Sequence, residues 1–222
     1  MKSMGYIVLV KPKTVALLVF TSFSSMLVAN FKYGRLSIPV AIWILAILAI
    51  TLGCAGCNAT TCYIDRDIDA IMERTMYRPL PTGRIHPPEK ALYFGLSSIG
   101  ISLLIGWFLG LLPFVCLLLG MADNVVIYSI LLKRRNPLNI ILGGLSGGFP
   151  VLFGWTVALN TIDLLGILAS AIVVLWIPNH IWNLALFHSK DYERAKVPML
   201  PVIVGVERRS GAWSARLSAC LP

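Results

Sequence analysis

Asp65 and Asp69 are the pair whose type and spacing most directly suggest chemistry. Residues 58–75 contain neither Gly nor Pro, so a helix is expected to run through them. On it the two aspartates stand about 40° apart and one turn apart along the axis. Asn58 and Thr61 fall on the same face, with Glu73 a candidate extension, and Asp67 is turned about 160° away. Like charges at this spacing repel without a cation. Mg²⁺ takes hard oxygen ligands, typically one or two carboxylates with water and substrate phosphate. The pair therefore reads either as a Mg²⁺ site at a membrane rim or as a solvated helix end.

The next residues favour the first reading. Pro79, Pro81 and Gly83 stop the helix and force a loop, and Arg74, Arg78 and Arg84 load it with guanidinium groups. Arginine holds phosphate bidentately and stays charged. A carboxylate pair followed by a rigid Arg-rich loop suits a diphosphate, while membrane anchoring is the competing role for each Arg. A second cluster lies at 176–201, with Pro178, His180, Trp182, Lys190, Asp191, Tyr192, Glu193 and the run Pro198-Met199-Leu200-Pro201. Pro178 is expected to kink or interrupt its helix. His180 reads as a hydrogen-bonded packing residue or, as an intramembrane ionisable group, a functional one. Lys133 and Arg134 are candidates to hold diphosphate or to anchor the chain, and so is Lys190. Asp123, deep in an apolar stretch, requires a polar partner or a cavity.

The segment from Asp65 to Ile85 resembles the first aspartate-rich motif of the UbiA superfamily of intramembrane prenyltransferases, and most closely its haem O synthase (protohaem IX farnesyltransferase) branch. The second cluster resembles that branch at Pro178, His180, Trp182, Asp191, Tyr192, Ala195 and Pro198 to Pro201. Thr61 stands where the family often has Asn, and Ala195 removes the second Asp-x-x-x-Asp that many relatives carry. The resemblance implies an all-α transmembrane bundle that ionises Mg²⁺-bound farnesyl diphosphate at Asp65, Asp69 and Asp191. It further implies phosphate contacts from Arg74, Arg78, Lys133, Arg134 and Lys190, and substrate contacts from Asn58, Thr61, His180 and Tyr192. Haem B would be the acceptor substrate, with His180 orienting it or ligating its iron. Association with a haem A synthase or with terminal oxidase assembly also follows from the resemblance. Other UbiA-type enzymes, acting on a quinone precursor or a glycerol-phosphate lipid, share the arginine loop. A transporter or a non-catalytic haem-binding assembly protein are the readings from other classes.

These residues must be positioned by the rest of the chain. Of 222 residues, 57% are apolar and 13% charged, where a soluble domain carries about 25% charge. Six apolar stretches, at roughly 14–30, 38–57, 91–109, 113–132, 139–159 and 164–186, each approach the ~20 residues that span a bilayer. Long runs without alternation favour helices over a barrel. With the N-terminus in the cytoplasm, fourteen Lys and Arg fall inside and only Lys32 and Arg35 outside. The net charge of +9 is thus mostly topology and needs no nucleic acid. Cys54 and Cys57 form a C-x-x-C beside Gly53 and Gly56, where close helix packing is expected rather than redox or metal chemistry. Gly143, Gly144, Gly147 and Gly148 are read as close helix contacts or as room for a flat substrate. No span follows Val206, and the family fold has nine helices. The sequence therefore predicts an incomplete prenyltransferase domain over 1–205 and a non-native tail at 206–222.

Overall fold

The computed structural model describes residues 2–33 and 38–209. Arg35 and the tail from 210 onward, with Arg216 and Cys220, lie outside the described residues. The described chain is helical, in the order α1 (Lys2–Leu9), α2 (Pro12–Lys32), α3 (Val40–Ile64), α4 (Arg66–Ile71), α5 (Glu89–Leu109), α6 (Leu111–Ala122), α7 (Asn139–Gly143), α8 (Leu145–Leu159), α9 (Leu164–Phe187), α10 (Ser189–Arg194) and α11 (Leu200–Arg209). A π-helical segment, Asp123–Leu132, continues α6. Six helical stretches are long and apolar enough to cross a membrane, and they coincide with the six expected from sequence. The protein is an integral, multi-pass membrane protein.

Small residues set the helix contacts. α3 packs most extensively on α5, and α2 and α6 pack on α8. A Cβ on Gly56 would stand 2.7 Å from the Gly95 carbonyl oxygen, and one on Gly154 would collide with the Ser22 carbonyl. Without a hydrophobic force between helices in lipid, such close approach is what holds a bundle together. Cys54 and Cys57 belong to this packing and are free thiols. Gly143 lies against Tyr128, Gly147 against Ile177 and Gly148 against Ser170 and Val174, and Gly143, Gly144 and Gly147 also line a cavity. Where α2 ends, the Tyr33 hydroxyl donates to Asp163, whose other carboxylate oxygen accepts the Gly166 N–H at 2.9 Å and caps α9.

Three local features depart from the sequence expectations. The helix carrying the aspartates does not run to Glu73. α3 ends at Asp65, at φ −94° and ψ 9°, and α4 ends at Met72, which is extended. Pro178 does not interrupt α9, which is continuous to Phe187. The stretch at 139–159 is divided at Gly144 into α7 and α8.

Candidate functional site

The site forms where α3 passes into α4. The Asp65 N–H donates to the Thr61 carbonyl at 2.9 Å, and the Asp69 N–H donates to the Asp65 carbonyl at 2.8 Å. Helical bonds on both sides of the break keep the two carboxylates one turn apart, and both are buried. Each has its own cation. Arg78 Nη1 donates to Asp69 at 2.8 and 2.7 Å, and Lys133 Nζ donates to Asp65 Oδ2 at 2.5 Å. Asp65 Oδ1 is buried without a partner. Burial opposes the charge on Lys133, but Tyr128, Asp65 and Asp69 outweigh it and raise its pKa above the ordinary value.

Each cation is placed by an identifiable local device. Arg78 follows a loop anchored by Thr75, whose buried hydroxyl donates to the Asp69 carbonyl at 3.1 Å. Lys133 follows the π-helical segment, and its N–H donates to the Tyr128 carbonyl five residues back. π-turns of this kind recur at functional sites. Asn139 is fully buried and donates to the Lys133 carbonyl at 3.4 Å and the Pro198 carbonyl at 3.2 Å. That bond ties the Lys133 loop to the Pro198–Pro201 run.

Other expected site residues have different surroundings. Asp191 is buried and accepts the backbone N–H groups of Glu73 and Arg74, each at 3.2 Å. Arg194 adds an ion pair to Glu73 at 2.8 Å. Glu73 therefore leaves the aspartate face and joins α10. Arg134 makes a two-point contact with Asp67 at 2.7 Å, which holds the Asp67 carboxyl below its usual range. Arg74 and Lys190 are exposed and form no ion pair within 4 Å among the described residues. Tyr192 packs in an apolar cluster with Ile68, Met72 and Met199. Asn58 donates to the Val10 carbonyl at 2.8 Å, and the Thr61 hydroxyl donates to the Asn58 carbonyl at 3.1 Å. Asp123 takes the Ser146 N–H at 2.7 Å, so its polar partner is backbone at the start of α8.

Two further elements belong to the site, and the sequence carries no motif for either. α1 lies over the arginine loop, with Leu9 clustered against Ile85, Ala59, Cys62 and Ala91. Lys11, between α1 and α2, is half-buried beside the Asp69, Arg78 and Lys133 charges, and burial holds its pKa below the ordinary value. Between the helices lies a partly open, mostly apolar cavity of about 820 Å³. Asn58, Tyr128 and His180 are among its polar lining residues, with Leu17, Leu117 and Phe149 on the apolar wall. The His180 ring is stacked on Trp176 at 4.5 Å.

A model of the UbiA prenyltransferase family matches residues 17–221. The protoheme IX farnesyltransferase of Desulforudis audaxviator is 49% identical over 92% of this chain and 63% of its own length. That of Thermoplasma volcanium is 49% identical over 87% and 66%, and that of Symbiobacterium thermophilum 39% over 97% and 70%. The chain thus spans about two thirds of the length of these relatives. Among solved structures, a UbiA homologue from Archaeoglobus fulgidus bound to DMAPP and Mg²⁺ superposes with a TM-score of 0.72, at 19% identity over 91% of this chain and 70% of that one. A structure of a digeranylgeranylglyceryl phosphate synthase gives 0.73, at 19% identity over 90% and 68%.

Proposed function

This chain belongs to the UbiA prenyltransferase family, and we propose that it transfers a farnesyl group from farnesyl diphosphate to a vinyl group of haem B to give haem O. One observation carries the reading: two buried carboxylates, each met by its own cation, at the ends of helices that also wall a large apolar cavity. The names of relatives 39–49% identical support the choice of acceptor. The transporter reading is disfavoured because Asp65, Asp69 and Asp191 lie at helix ends, while Asp123, within a span, is engaged by backbone.

The residues fit Mg²⁺. Asp65 Oδ1 is a buried oxygen without a partner, and Asp69 is one turn away. Mg²⁺ would be held by Asp65 and Asp69 together with substrate phosphate, its usual mode. When bound, it neutralises charge that develops on the leaving diphosphate. Arg78 and Lys133 then stabilise that charge directly, and Arg74 and Lys190 are exposed cations at the same rim. Asp191 positions the arginine loop through its two backbone contacts. The apolar cavity takes the isoprenoid chain and keeps water from the allylic cation. The C1–O bond breaks with its electrons leaving on pyrophosphate, the vinyl π-electrons form the new C–C bond, and water adds as hydroxide and releases a proton. Haem O then passes to a haem A synthase or to terminal oxidase assembly.

The test is to supply the full chain in membranes with haem B, farnesyl diphosphate and Mg²⁺. Haem O and an equal amount of pyrophosphate are expected. Pyrophosphate release only with a quinone precursor or a glycerol-phosphate lipid would reassign the acceptor. No pyrophosphate with any acceptor would overturn the enzyme reading.

A further inference from the structure

The geometry points to Lys11 as a third cation that grips the donor's diphosphate, available to substrate because it forms no ion pair with a carboxylate within 4 Å among the described residues. The inference rests on the donor reading above and adds a residue to it from a part of the chain that carries no motif.

The placement of Lys11 is built rather than incidental. Asn58 Nδ2 donates to the Val10 carbonyl at 2.8 Å, and Cys62 Sγ lies 3.8 Å from the Leu9 carbonyl. Both anchors come from α3, within two turns of Asp65. They fix the peptide before Lys11 against the helix that carries the acid pair. Lys11 itself has φ 54° and ψ 68°, a left-handed conformation that a side chain other than Gly, Asn or Asp rarely adopts. It precedes Pro12 and leaves α2 without a side-chain cap, so nothing in helix capping calls for a lysine. Glycine or asparagine would suit this backbone better. A lysine held here points to a use for its ammonium.

The charge balance indicates what that use is. Lys11 lies within electrostatic reach of Cys62, Arg78, Lys133 and Asp69. Asp69 is engaged by Arg78 at 2.7 Å and Asp65 by Lys133 at 2.5 Å. Lys11 forms no ion pair within 4 Å among the described residues. Three cations thus face two carboxylates, leaving one positive charge in surplus and partly out of water. A desolvated cation without a counter-ion is unfavourable, and an incoming polyanion relieves it. Lysine suits diphosphate as a flexible point charge with three donors.

The full chain, purified in detergent with Mg²⁺, is titrated with inorganic pyrophosphate, farnesyl diphosphate and farnesol. Lys11→Gly removes the cation and accepts the positive φ without strain. It is expected to bind pyrophosphate and farnesyl diphosphate about 10- to 100-fold more weakly, the loss of one charged contact. Its affinity for farnesol and its thermal midpoint are expected to match or exceed those of the parent. Lys11→Arg keeps most of the anion affinity, and Lys90→Ala, which removes an exposed cation bonded to the His86 carbonyl, leaves it unchanged. If Lys11→Gly is unstable, Lys11→Asn carries the same expectation. Parent-like pyrophosphate affinity in these variants, with Arg78→Ala and Lys133→Ala impaired, overturns the role of Lys11 alone. A parent chain that binds neither anion overturns the donor reading and the role of Lys11 together.

Discussion

At the scale of single residues, the Asp65–Lys133 pair shows how function and stability separate. Its side chains are only 6% and 16% exposed. Removing one partner of a buried pair strands the other charge and costs about 3–5 kcal/mol, whereas replacing both by apolar groups is often neutral. Lys133→Met is therefore expected to lower the thermal midpoint in detergent, and Lys133→Met with Asp65→Leu to recover it. Prenyl transfer should stay lost in both; recovery of turnover in the double variant would exclude Asp65 from the chemistry. Asp69→Asn is expected to reduce turnover about 100-fold or more, the scale seen when a preorganised electrostatic group is removed. The exposed Asp67–Arg134 pair behaves differently. Asp67 has a depressed folded-state pKa, so its contribution is present above the unfolded value near 4 and is lost as pH falls through the lower folded value. Because the pair is exposed, the effect is below about 1 kcal/mol. The difference in stability between the parent and Asp67→Asn should be constant near pH 7 and shrink as the pH falls below the unfolded value of about 4; a difference that grows on acidification would contradict this sign.

At the scale of elements, the six spans and the paired aspartates were legible from sequence because length, apolar content and helical spacing are properties of the chain itself. The faces of those spans were not. Apolar residues meet lipid as readily as they meet another helix, so a membrane helix loses the polar face that marks burial in water. Small residues carry that information instead, as the Gly154–Ser22 and Gly56–Gly95 contacts show. Gly154→Ala should destabilise the bundle by about 1–3 kcal/mol or more, since its Cβ meets the rigid α2 backbone. Gly100→Ala, which meets nothing within 4 Å, should be neutral or stabilising by the same thermal assay. The π-helical segment that carries Tyr128 and places Lys133 had no sequence signature, because one-residue changes of helical register leave composition untouched. Nor did the contacts of Asp191, whose two oxygens accept backbone N–H groups 117 and 118 residues away in sequence. Asp191→Ala should raise hydrogen exchange at Glu73 and Arg74 and loosen Arg78 with them. Unchanged protection at those amides would show that the loop holds without it.

At the scale of the molecule, the acid pair, the arginine loop, the Lys133 loop and α10 all lie at one end of the bundle. The opposite end has the Tyr33–Asp163 clamp and the short turn at Gly110. Under the proposed function, the positive-inside bias and the need for diphosphate ligands would act on the same loops. The Asn139–Leu159 span, α7 with α8, is the central wall, 61% buried, and α9 the peripheral one, 11% buried. α5 and α9 expose large apolar side chains, and the buried acid pair and its cations lie at one rim. The resulting orientation is testable independently of activity. In a Cys220→Ser background, a membrane-impermeant thiol reagent should label Thr161→Cys in intact cells and Arg135→Cys only after permeabilisation. Both positions are exposed on connections between helices, so access depends on sidedness. The opposite pattern would place the aspartate rim outside, away from a cytoplasmic supply of isoprenoid diphosphate. The charge asymmetry would then be a consequence of the ligand site alone.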